Sequence, residues 1–153
     1  EPAQLLIDGN KAIKAMGLKK MYMALTIAKL KNHQIHIAAA GMPYPLIYRY
    51  STGSIEEIIL KGMPLGGLAD FPYKDKKLCL DQGDTVFFMS DGLEEMFNPQ
   101  NEMLGKEQVK RFFKETAEKS PEQIIEYLNK AGKTWANGRD QEDDITFVVI
   151  KMK

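Results

Sequence analysis

The sequence predicts an α+β fold, in which strands and helices occupy separate stretches of the chain. Three observations carry this. Residues 3–16 place apolar side chains at helical spacing. From residue 21 to residue 89 the chain is dominated by short alternating runs broken by Gly, Pro and Asn. Two helical segments then precede one last strand-like run. With 153 residues, one domain covering 1–153 is expected, and no disulfide staple is needed to stabilise it.

Taken in order, the first helix shows Leu5, Leu6, Ile13 and Met16 on an apolar side and places Asp8, Asn10, Lys11 and Lys14 elsewhere. Gly17 closes it, as a helix C-terminal glycine does. Residues 21–30 are apolar on both faces, so an inner strand of a covered sheet is expected there. Lys31-Asn32 turns the chain back into a second strand over 33–40, and Gly41-Met42-Pro43-Tyr44-Pro45 interrupts regular pairing. Strands over 46–50 and 55–60 flank the turn Ser51-Thr52-Gly53-Ser54. The glycine-rich stretch 61–67 lacks the lysine and spacing of a phosphate-binding loop and reads as a structural turn bounding a pocket. Residues 73–80 alternate, with Lys74, Lys76 and Lys77 marking an edge strand. Asp81-Gln82-Gly83-Asp84 turns into an apolar strand over 85–89. Helices follow over 105–119 and from Ser120-Pro121-Glu122-Gln123, which has a Ser cap, Pro in the first turn and a Gln placed to cap back. Ile124, Leu128, Ala131 and Trp135 give that helix its apolar face, and residues 145–152 form the last strand.

Charge and composition exclude several functions. Lys plus Arg and Asp plus Glu are 21 each, so the basic excess of a nucleic-acid-binding domain is missing. The short basic pieces Lys19-Lys20 and Lys74, Lys76 and Lys77 lack interleaved aromatic platforms and read as solvated surface. No apolar run approaches the ~20 residues of a membrane span, so no direct membrane insertion is expected. The single cysteine, Cys79, fits a reducing, cytoplasmic setting and reads as a small buried hydrophobe. His33 and His36 are three apart in a strand-like run and point to opposite faces, which argues against a shared metal. There is no Gly-x-Ser-x-Gly nucleophile elbow.

The chemistry concentrates in two acidic stretches, Ser90-Asp91-Gly92-Leu93 and Glu142-Asp143-Asp144-Ile145-Thr146. Asp91 ends one strand and Asp143 opens another. If the two strands are antiparallel neighbours, both carboxylates lie at one sheet edge. Two carboxylates ~4 Å apart repel by about 4 kcal/mol at an effective dielectric near 20, so a proton or cation must intervene. Oxygen donors favour Mg²⁺ or Mn²⁺ over Zn²⁺. Asp-Gly after a strand is also common as a plain turn, and the residues alone leave both readings open.

Four motifs in register, Gly41-Met42-Pro43-Tyr44-Pro45, Gly62-Met63-Pro64-Leu65-Gly66, Gly83-Asp84-Thr85 with Ser90-Asp91-Gly92-Leu93, and Asp143-Asp144-Ile145-Thr146, together resemble the bacterial stage II sporulation E type protein phosphatases. These are the sigma-regulator branch of the metal-dependent type 2C serine/threonine phosphatases. The resemblance implies a four-layer α-β-β-α sandwich with two Mn²⁺ or Mg²⁺ ions. It implies Asp91 and Asp143 as metal ligands, Gly92 and Asp144 as their supporting neighbours, and a metal-activated water that attacks phosphoserine or phosphothreonine. The implied substrate is a phosphorylated regulatory protein of the anti-anti-sigma type, met in the cytoplasm by an enzyme tethered to an upstream sensor. The acidic motifs that supply the family's bridging aspartate are not in this sequence. The expectation is therefore an N-terminally incomplete domain whose own metal binding is weak or absent. Such a chain should be inactive alone and prone to self-association through an exposed sheet edge. A phosphatase-like module that binds a partner protein without turnover is the alternative.

Overall fold

The structure is a computed structural model that describes residues 1–17 and 21–153; the Lys19-Lys20 pair lies outside the described residues. In chain order the elements are α1 (Pro2–Ala15), β1 (Leu25–Lys31), β2 (Gln34–Ala40), β3 (Leu46–Arg49), β4 (Ser54–Glu57), β5 (Lys76–Cys79), β6 (Thr85–Met89), α2 (Lys106–Thr116), α3 (Pro121–Ala136) and β7 (Phe147–Lys151). They form two compact units, Glu1–Met42 with Ile59–Leu80, and Pro43–Ile58 with Asp81–Lys153. The α+β class expected from the sequence is the class observed. No helix among the described residues is long and apolar enough to cross a membrane.

The first unit is an antiparallel sheet in the order β1-β2-β5, with α1 packed on it. Asn32 and His33 both take positive φ in the two-residue loop between β1 and β2, as the twist of a tight hairpin requires. The inner strand is β2, whose Ile35, Ile37, Ala38 and Ala40 are fully buried. This corrects the expectation for residues 21–30. Their apolar faces belong to an edge strand, β1, and Met21, Tyr22 and Leu30 are exposed. β5 is an edge, as its lysines indicate, and Cys79 on it is exposed rather than buried, because one face of this short strand is solvated.

The buried face of α1 is Ala3, Leu6 and Asn10, with Ile7 and Ile13 packed alongside. Asn10 is 2% exposed; its Nδ2 donates to the Leu68 carbonyl and its Oδ1 accepts from the Gly66 amide. The helix is therefore rotated from the sequence expectation, leaving Leu5 and Met16 exposed. A hydrogen-bonded amide counts as core here, which a hydropathy pattern does not register. The N-terminus of α1 has no cap from its own Glu1; the Ala3 amide donates to Asp75 Oδ1 at 2.7 Å instead.

The second unit is an antiparallel sheet in the order β4-β3-β6-β7, covered by α2 and α3. Leu46, Tyr48, Phe87 and Met89 on the sheet meet Val109, Phe113, Ile124 and Leu128 on the helices. Phe87 sits at the centre, 5.1 Å from Phe113 and 5.5 Å from Phe147 between ring centroids. Thr85 Oγ1 donates to the Ala117 carbonyl, and Lys151 Nζ donates to the Ala117, Glu118 and Lys119 carbonyls, which closes the C-terminal end of α2. The predicted cap of α3 is present in full: Ser120 Oγ accepts from the Gln123 amide and Gln123 Oε1 from the Ser120 amide.

The turn before β6 is built on Asp84, which is 1% exposed. Its Oδ1 accepts from the Tyr50 amide, and its Oδ2 accepts from Arg49 Nη1 at 2.8 Å and from the Asp81 amide. Gly83 beside it has φ +88, and a Cβ there would meet Tyr50 Cγ at 2.7 Å. The Gly-Asp-Thr motif thus locks β6 to the end of β3.

Candidate metal centre

β6 and β7 are antiparallel neighbours, with Met89 opposite Phe147. The pairing continues past the named strands: the Ser90 amide donates to the Thr146 carbonyl. Ser90 Oγ donates to the Asp144 carbonyl and accepts from the Thr146 amide, both at 2.9 Å. One hydroxyl therefore ties the exit of β6 to the entrance of β7. Asp91 follows that tie on one strand and Asp143 precedes it on the other, so the structure brings the two acidic stretches to the same end of the sheet.

Gly92 makes the approach close. A Cβ at this position would lie 2.5 Å from the Asp144 carbonyl oxygen, 3.0 Å from its carbon and 3.2 Å from the Asp143 oxygen. No side chain fits, which is the physical reason for glycine after Asp91. A cavity of about 270 Å³ opens beside this contact, lined by Gly92, Glu95, Met96, Phe97, Asp140, Gln141, Glu142 and Asp143. Within its rim Asp143 Oδ1 accepts from the Asp144 amide and the Asp143 carbonyl accepts from Gln141 Nε2, both at 2.7 Å. Two larger hollows, of about 820 and 530 Å³, lie along α3 and gather no comparable set of carboxylates.

Four of the cavity-lining residues are acidic, and none is Cys or His. A carboxylate-rich donor set without thiolate or imidazole fits a hard divalent cation such as Mg²⁺ or Mn²⁺ better than zinc. Among the described residues, the one triplet whose ligand-type atoms lie within 4.8 Å of one another is elsewhere: Glu1, His36 and Asp75. His36 Nδ1 is 3.0 Å from Glu1 and Nε2 is 3.2 Å from Asp75, one carboxylate on each ring nitrogen. These contacts gather at the start of α1, on the β1-β2-β5 unit and not on the sheet that carries β6 and β7. His33 sits in the hairpin loop with φ +57, outside β2, so the expectation that both histidines lie in one strand on opposite faces is corrected.

Glu94 is a further acidic residue beside Asp91 that the structure, unlike the sequence, singles out. It is 8% exposed, its Oε2 has no hydrogen-bond partner, and burial raises its pKa, with Lys106 opposing and Glu95 and Asp91 reinforcing the shift. The folded state holds this proton more tightly than the unfolded chain does. Glu94 therefore supports folding fully below the ordinary carboxylate range, and that support is lost as pH rises through its folded-state pKa. Glu94→Gln is expected to raise the melting temperature at pH 7.5 and to lose that gain as pH falls towards 4. Thermal melts across this range check it. Only its position after Asp-Gly-Leu, where an apolar residue suits a buried turn, could have signalled it.

The family model for stage II sporulation protein E (SpoIIE) matches residues 1–153. The chain is 23% identical over 154 residues to phosphoserine phosphatase RsbU of Bacillus subtilis (strain 168), covering 99% of this chain and 45% of that protein. It thus spans about half the length of this curated relative. Among solved structures, the SiaA-PP2C domain of Pseudomonas aeruginosa superposes with a TM-score of 0.85 at 19% identity, covering 100% of this chain and 60% of that one. The phosphatase domain of SpoIIE from Bacillus subtilis (Mn presoaked) gives a TM-score of 0.64 at 18% identity, covering 96% and 73%. The fold is that of the 2C-type phosphatases, and with the family model matched from end to end, the chain belongs to the stage II sporulation protein E family.

Proposed function

We propose that the chain is part of a metal-dependent protein serine/threonine phosphatase, in which Asp91 and Asp143 are ligands of one Mn²⁺ or Mg²⁺ ion and Gly92 and Asp144 support them. The observation that carries this is the convergence of the two acidic stretches on Gly92, beside a cavity lined by carboxylates. A bound divalent cation supplies Lewis-acid activation of water. The chain's own residues hold the two strand ends together through Ser90, present the carboxylates and exclude side chains at Gly92. The family model runs through both compact units, which supports reading 1–153 as one catalytic domain. The substrate in this reading is a phosphoserine or phosphothreonine on a regulatory protein of the anti-anti-sigma type, in keeping with the phosphoserine phosphatase named among the relatives. The setting is cytoplasmic.

Two candidate ligands do not make a dinuclear centre, so this chain by itself is expected to bind metal weakly and turn over little. The test is p-nitrophenyl phosphate hydrolysis with Mn²⁺, comparing this chain with a longer one extended at its N-terminus, each with Asp91→Ala. Activity in the longer protein that disappears with Asp91→Ala supports the reading. A longer protein that stays inactive, or is indifferent to Asp91→Ala, removes it. Among the described residues β1 pairs with β2 alone, and this edge, with Leu30 exposed on it, favours self-association through strand pairing. Light scattering is expected to show a dimer or larger species; a monomer at high concentration contradicts this.

A further inference from the structure

Arg139 precedes Asp143 in the same loop, and its guanidinium reaches the 97–101 segment, which follows the turn carrying Asp91. Nη1 donates to the Asn98 carbonyl at 3.1 Å and to Asn101 Oδ1 at 2.7 Å. Nε and Nη2 both donate to Glu142 Oε1. The guanidinium carbon lies 5.3 Å from the Phe97 ring centroid. Its acceptors are themselves held. Asn98 is 8% exposed, and its Oδ1 accepts from the Gln100 and Glu102 amides. The Arg139 amide donates to the Ala136 carbonyl at the end of α3. A planar fork of donors is what such a span requires, and an ammonium group cannot reproduce it.

We propose that Arg139 is a positioning residue for the metal: it locks the segment 140–144 against the loop 97–101 and so fixes the Asp143 carboxylate relative to Asp91. This rests on reading those two aspartates as ligands. An exposed Arg–Glu pair contributes little to stability by itself. The effect of this pair is geometric, because Glu142 is the residue beside Asp143 and both line the cavity. Partners that orient metal ligands typically change metal affinity 10–100-fold when removed.

The experiment is titration of Mn²⁺ into the ¹⁵N-labelled protein, following paramagnetic broadening of the Asp91 and Asp143 amides, with hydrogen exchange of the Asp144 amide measured in the same samples. Arg139→Ala is expected to raise the Mn²⁺ concentration for half-broadening about tenfold and to speed Asp144 exchange severalfold, with the melting temperature little changed. Arg139→Lys, which keeps the charge, is expected to recover less than half of the loss. Asn101→Gly preserves the left-handed backbone at 101 and removes one acceptor, so a smaller shift in the same direction is expected should Arg139→Ala fold poorly. Wild-type Mn²⁺ response in Arg139→Ala, or full rescue by lysine, overturns the proposal. Asp91→Asn separates the two readings. If it leaves the Asp143 broadening intact, the ligand assignment falls, and Asp144 exchange alone then decides whether Arg139 holds the loop.

Discussion

Gly92→Ala is expected to lower the phosphatase activity proposed for the N-terminally extended protein about 100-fold while leaving its secondary structure in place. The added methyl would sit 2.5 Å from the Asp144 carbonyl oxygen, and the atoms it meets are backbone, which no rotamer change can move. The ends of β6 and β7 must separate. Overpacking of this kind costs about 1–3 kcal/mol in stability, and a displacement near 1 Å at reacting groups costs ~10²-fold in rate. The larger effect is therefore on chemistry. Gly9→Ala is the control: its Cβ would meet only Leu65 Cδ1, at 3.6 Å, inside a helix where alanine is favoured. Kinetics and far-UV circular dichroism on both variants check the contrast. Near-normal activity in Gly92→Ala would show that the two acidic stretches do not act as one site.

Asp84→Ala is expected to be the most destabilising single change in the turn before β6. Asp84 is buried and accepts from Arg49 and from the Tyr50 and Asp81 amides. Removing one partner of a buried charge pair costs about 3 kcal/mol, and for a chain of this size that lowers the Tm by roughly 6–12 °C. Asp84→Asn retains an acceptor for the Tyr50 amide and should lose about half as much. Because β6 leads directly to Asp91, the loss of activity on warming should follow the lowered Tm. Denaturant melts of both variants test the ranking; equal stability for alanine and wild type contradicts the role given to this carboxylate.

What was legible in the sequence is what local physics determines. Ser120 through Gln123 contain their own capping box, and the structure forms it. The alternation and turns around residues 85–89 and 145–152 identify β6 and β7, and the antiparallel pairing that the shared edge required is observed. Tertiary context decided the rest. Asn10 is polar in sequence and buried in structure because Gly66 and Leu68 supply its partners from the other end of the unit. The doubly buried strand is β2 rather than β1, since strand order, not hydropathy, determines which strand lies inside. Cys79 looks apolar and sits exposed on an edge. Arg139 carries no signal beyond its charge; its reach to Asn98 and Asn101 exists only once α3 has docked.

Asp91 and Asp143 are proposed to share a divalent cation, and anomalous diffraction at the manganese edge from crystals soaked in Mn²⁺ locates that ion. The predicted result is a peak in direct contact with carboxylate oxygens of both residues, beside Gly92, that disappears in Asp91→Asn crystals. A peak at Glu1, His36 and Asp75 instead, or none at Asp91 and Asp143 at saturating Mn²⁺, would contradict it.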